Sequence, residues 1–169
     1  LEVPLKGPYL QEIEQLRQVN YARSYLWDVK FVNGPPGPFG SWFPATDMSE
    51  PIYSIESMPF DTPVANLSVP KQSNILQLKF TCFDDIDHSL ENWMREWTLS
   101  IIPERYKYVN YLSDSVKDVI VAKFHPDGSG VKQRSYTVYP EDSLNFEGNS
   151  ASEALLLPLT FVVAGIRDL

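Results

Sequence analysis

The densest group of potential metal ligands in the chain is Asp84, Asp85 and Asp87, whose carboxylates could in principle offer oxygens to calcium. The residues that follow lack the glycine and the distal glutamate of an EF-hand loop, so a helix start is the simpler use of this acidic run. His88 and His125 lie far apart and neither belongs to an H-E-x-x-H pattern, which excludes a helix-borne zinc site. Cys82 is the only cysteine, so no internal disulfide framework or multi-thiolate site can form, and a reducing cytosol is the expected setting for assembly. No glycine run leads into Lys-Ser or Lys-Thr, so a phosphate cradle of the P-loop type is missing. Paired acids for glycoside cleavage depend on a three-dimensional separation, and any acidic chain contains many such pairs. Asn66-Leu67-Ser68 matches a glycosylation acceptor, a match that is idle without export. The expectation is a protein with no catalytic residues, no cofactor and no metal.

What the residue types do favour is contact with other surfaces. Phe39, Trp42 and Phe43 make a proline-rich stretch unusually aromatic, and Tyr106, Tyr108 and Tyr111 cluster in another irregular stretch. Such groups suit large buried interfaces, and they equally suit closing the ends of a small β domain. The formal net charge of −8 disfavours nonspecific attraction to nucleic-acid phosphates or anionic membranes. No apolar run approaches the about 20 residues of a membrane-spanning helix, and Leu1 to Leu10 lacks a basic region followed by an apolar one, so a soluble protein without a secretory signal is expected.

The elements that must carry these residues follow from periodicity. With 169 residues, 43% of them hydrophobic, one domain with a continuous core is expected. Residues 1–23 read as an N-terminal arm, with Leu10, Ile13 and Leu16 forming a narrow helical stripe over Tyr9 to Arg17. Residues 24–169 read as a β domain. Its first strand, Ser24 to Val32, places Tyr25, Trp27, Val29 and Phe31 on one face. A long Pro-rich loop is expected at 33–50, because its prolines lack amide donors and its glycines tolerate positive φ. Strands are expected at Ile52 to Met58, Pro63 to Val69 and Asn74 to Phe83. The main helix, His88 to Ile101, carries Leu90, Trp93, Met94 and Trp97 at core spacing, with Asp87 placed to accept from its first amides. Pro103 ends it. Asp118 to His125 and Val131 to Tyr139 form a hairpin around Pro126 to Gly130, Leu144 to Phe146 reads as a short strand, and Leu155 to Ala164 closes the chain. Pro158 within that last strand argues for a sheet edge or a bulge. The fold class is therefore mainly β, α+β in detail: an antiparallel β-barrel or sandwich with one central packed helix and a short N-terminal helix.

Taken in order from about Tyr21 to Gly165, these features resemble the tail tube proteins of contractile-tailed bacteriophages and their baseplate tube-initiator relatives. The resemblance rests on Asn20 to Phe31 after the short helix, on Phe80 to Asp87 leading into Asn92 to Trp97, on Tyr136 to Glu141 after the hairpin, and on Leu157 to Val163. The Pro-rich aromatic loop is a departure from a minimal tube subunit. The resemblance implies a virion protein assembled in the host cytoplasm as rings, hexameric in the family, that stack into a channel. It also implies sheath and baseplate neighbours and DNA that passes without specific binding. A baseplate tube-initiator or hub-proximal component is the first alternative. Alternatives from other classes are a monomeric ligand-binding β-barrel and an acidic-site hydrolase. Six copies would carry about −48 in formal charge, a wall that repels phosphate. Ser54, Glu56, Gln77, Lys79 and Thr81 are the channel-lining candidates, Lys79 running against a purely acidic wall. The six aromatics named above are the subunit-contact candidates.

Overall fold

A computed structural model describes residues 26–40, 43–61, 65–103, 108–129, 132–141 and 155–169. The expected N-terminal helix and the expected strand Leu144 to Phe146 lie outside the described residues.

Eight strands and two helices are described. Strand β1 is Trp27–Phe31, β2 Ala45–Ser49, β3 Ile55–Asp61, β4 Asn66–Ser73 and β5 Gln77–Phe83. Helix α1 is Ser89–Ile101 and the single-turn α2 is Leu112–Ser115; β6 Lys117–Lys123, β7 Lys132–Glu141 and β8 Leu156–Asp168 follow. Six strands form an antiparallel sheet in the order β1-β6-β7-β8-β5-β2, curled into a nearly closed barrel. Strands β3 and β4 pair only with each other.

The inward face of the sheet is the alternating apolar set that the sequence shows. Val29 and Phe31 on β1, Leu78, Phe80 and Cys82 on β5, Val119 and Val121 on β6, Tyr136 and Val138 on β7, and Leu157, Leu159 and Phe161 on β8 are all buried. Helix α1 presses Leu90, Trp93, Met94 and Trp97 onto this face. Burying each such side chain is worth about 1.5–3 kcal/mol, which a solvated helix of this length would lack. Trp97 also donates its indole N–H to the carbonyl of Ser115 at 2.8 Å, tying α1 to α2. Burial in this core pushes the Cys82 thiol far above its usual range, so it behaves as a small apolar side chain.

Helix α1 starts through residues other than Asp87. Asp84, whose side chain is fully buried, accepts from the amides of Asp85, Leu90 and Glu91, and Asp85 accepts from Ser89 at 2.7 Å. His88 takes a left-handed backbone, φ 53°, and this turn brings the helix N-terminus back over the earlier aspartates. The Ser89 amide and hydroxyl hold the Asp85 carboxyl below the usual carboxylate range. Asp84→Ala should therefore lower stability by about 1–2 kcal/mol, read as a shifted urea midpoint with an unchanged slope. An unmoved midpoint would mean the helix start holds without the carboxylate.

The expected loop 33–50 contains a strand, and this corrects the sequence reading. Pro35 is fully buried, Gly37–Gly40 forms a 3-10 turn, and Phe43 packs its ring 4.8 Å from that of Phe31. From there β2 pairs along β5, with a bulge between Ala45 and Asp47, and Thr46 donates to the Thr81 carbonyl at 3.0 Å. Pro158 lies in the part of β8 paired with β5, beyond Thr160 where the described pairing with β7 ends. The β7–β8 bulge falls instead between Thr137 and Val138.

Candidate functional site

The ribbon of β3 and β4 departs from the logic of the rest of the molecule. None of its residues belongs to the core cluster. A two-stranded ribbon in water is marginal by itself, so this one is expected to gain from a covering surface. In register, Met58 faces Val69 and Phe60 faces Leu67, so these four side chains share one side of the ribbon. Phe60 is 53% exposed and Leu67 52%. The opposite side carries Ser57, Pro59, Asp61, Pro70, Ser68 and Asn66, which is polar apart from its prolines. Each strand also has an edge without a described pairing partner, and Pro59 and Pro70 reduce the donors those edges present.

Polar contacts hold the base of the ribbon. Asn74 donates its amide to the Ser54 carbonyl at 2.9 Å and its side-chain nitrogen to the Ser54 hydroxyl at 2.7 Å. Glu56 accepts from Gln72 at 2.8 Å and pairs with Lys71 at 3.2 Å. That pair is exposed at both ends, which limits it to about 0–1 kcal/mol.

The five channel-lining candidates divide between two sheets. Ser54 and Glu56 sit at the ribbon base, whereas Gln77, Lys79 and Thr81 project outward from β5. Lys79 lies between Ser49 of β2 and Thr160 of β8, and Gln77 donates to Glu141 at 2.5 Å. The outward sheet face around them is mixed in charge, with Asp47, Asp118 and Glu141 beside Lys30 and Arg167. Of the subunit-contact candidates, Phe43 is in the core and Phe39 is half-buried in the 3-10 turn. Tyr108 and Tyr111 are exposed near the C-terminal end of α1, beside exposed Ile102, Val109 and Leu112. Trp42 and Tyr106 lie outside the described residues.

Asp84, His88 and Glu91 bring one potential ligand atom each within 4.8 Å of one another. The Asp84 oxygens already accept three amides, and the positive end of the α1 dipole opposes a cation there, so the cluster serves the helix start.

No protein-family model and no curated protein matches the sequence. Solved structures do. The sheath/tube terminator of an extracellular contractile injection system, PVC, in the extended state superposes with a TM-score of 0.65 at 12% identity, over 90% of this chain and 99% of that one. This chain has the same fold. The tube-terminating cap of the anti-feeding prophage gives 0.63 at 15% identity over 89% of this chain and 93% of that one. A chain of the PVC sheath-tube complex gives 0.61 at 13% identity over 92% and 96%. The shared fold thus spans both the curled sheet and nearly the whole of each compared chain.

The sequence reading located both ribbon strands within a few residues but left open what covers them. The alternation Met58, Phe60 and Leu67, Val69 was the available signal for a one-sided apolar ribbon. It also left out Glu50, which joins elements far apart in the chain.

Proposed function

We propose that the chain is a structural subunit of a contractile tail or injection device, working by assembly instead of turnover. The observation that carries this reading is the solvent-facing apolar side of the β3–β4 ribbon, on a fold shared with a sheath/tube terminator, a tube-terminating cap and a chain of a sheath-tube complex. Copies arranged in a ring would each lay that side against a neighbour, a heterologous contact that closes on itself. Six subunits per ring, sheath and baseplate neighbours, and a lumen that DNA crosses without specific contacts are the finer parts of the proposal. In such a ring Gln77, Lys79 and Thr81, with Ser54 and Glu56, are the candidates to face the channel, and Phe39, Trp42, Tyr106, Tyr108 and Tyr111 to meet other subunits. The particle would be built in the cytoplasm of the producing cell.

A second reading is favoured by the terminator and the cap among the matched structures: a single ring that ends a tube instead of extending it. Negative-stain imaging of the purified protein separates the two. Hollow filaments are expected of a repeating tube subunit and isolated annuli of a terminal ring. Featureless monomers at high concentration that also fail to add to preformed tube ends would overturn both.

A further inference from the structure

Where β2 ends, a buried charge crosses the seam of the barrel. The Glu50 side chain is 5% exposed, although Glu50 follows directly on β2, the edge strand of the sheet. Its Oε1 accepts the Tyr136 hydroxyl at 2.5 Å. Its Oε2 faces the ammonium of Lys123 on β6 and makes no conventional hydrogen bond besides that ion pair. Arg134 on β7, two residues before Tyr136 on the same strand, donates to Asp168 on β8 at 2.9 Å. Burial and the Glu50 contact push the Tyr136 hydroxyl up to about 12, so it remains a donor. The network balances Glu50 and Asp168 against Lys123 and Arg134.

The position of Glu50 in the chain gives this network its consequence. The ribbon stands on two legs, residues 50–54 going out and 74–76 returning. The returning leg is fixed by the sheet, since Val163 donates to the Leu76 carbonyl at 2.9 Å and β5 begins at Gln77. The outgoing leg starts at Glu50 and is tied to the returning leg at its far end, Ser54 to Asn74. No residue of β3 or β4 is packed into the core, so Glu50 is the leg's contact with the barrel's interior side chains. We propose that the Glu50–Tyr136–Lys123 contact is a latch that fixes the direction in which the ribbon leaves the barrel, and that its release lets the ribbon swing as one unit while the sheet stays intact. The latch is a property of the single chain and holds whether or not rings form.

Spin labels at Ser68→Cys on β4 and Gln133→Cys on β7, both exposed, report that direction through pulsed-EPR distances on dilute monomer, and fully buried Cys82 stays unlabelled. The latched protein should give one narrow distribution. Tyr136→Phe removes a single hydroxyl, and Glu50→Gln keeps the side-chain shape; each should broaden the distribution by about twofold or more while far-UV CD is retained. Lys71→Ala breaks only the ribbon's own surface pair and should leave the width unchanged. Equal widths in the parent, Tyr136→Phe and Glu50→Gln would overturn the latch, as would broadening by Lys71→Ala to the same extent. Should Glu50→Gln fail to fold, Tyr136→Phe decides alone.

Discussion

Phe31→Ala should lower the free energy of unfolding by about 3–5 kcal/mol, the upper part of the range for emptying a buried aromatic site. The Phe31 ring lies 4.8 Å from Phe43, 5.3 Å from Trp93, 5.5 Å from Phe161, 6.2 Å from Trp97 and 6.3 Å from Phe80. These partners come from the segment before β2, from α1, from β8 and from β5, so one side chain fills the space where the curled sheet meets its helix. The surrounding rings are large and mutually packed, which limits how far the site can collapse around a cavity. Position adds to the loss. Strand β1 pairs with β6 along one side, and Val29 and Phe31 are its fully inward anchors. A urea midpoint that falls with an unchanged slope would express the full effect in stability, and a loss below about 1 kcal/mol would mean the core reshapes far more readily than its packing implies. Phe43→Leu, which keeps most of the apolar volume nearby, should cost much less.

The contrast between what periodicity exposed and what it concealed has a physical cause. Val29 with Phe31, Leu78 with Phe80 and Cys82, and Leu90, Trp93, Met94 and Trp97 each repeat at the period of their element, and the core they build is the one these positions describe. Strand β2 escaped because only Ala45 and Met48 of its five residues pack against the core, and Thr46, Asp47 and Ser49 look like loop. The helix start moved from Asp87 to Asp84 and Asp85 because His88 adopts φ 53°, a local turn that a spacing rule does not foresee. Glu50 is joined to Tyr136 across 86 positions, and nothing local at Glu50 marks it as buried. The ribbon shows the limit most clearly. Its alternation is legible, yet alternation states that one side is apolar and leaves open whether that side meets the chain's own core or another molecule.

That open question is the one an assembly experiment answers most sharply. The double variant Phe60→Lys and Leu67→Glu should abolish self-assembly while leaving the monomer folded. These residues face each other across β3 and β4, so the new side chains form an opposite-charge cross-strand pair that replaces part of the apolar contact they remove. The ribbon loses little internally, and neither position contributes to the barrel core, so the unfolding midpoint should stay close to that of the parent. The interface has no such compensation. Burying a Phe and a Leu side chain is worth about 1.5–3 kcal/mol each, and two fresh charges would have to be desolvated against an apolar partner. A loss of about 3–6 kcal/mol at each contact weakens that contact by about 10²–10⁴-fold, and in a closed ring the penalty recurs at every junction. Sedimentation velocity would then show monomer wherever the parent sediments as rings or filaments. Placing one Lys and one Glu on the other side, as Ser57→Lys with Ser68→Glu at diagonal positions, should leave assembly intact, because the apolar side is untouched. Rings that persist in the Phe60/Leu67 variant at unchanged concentration would remove the ribbon from the interface, and the proposed assembly would then have to rest on the open edges of the six-stranded sheet.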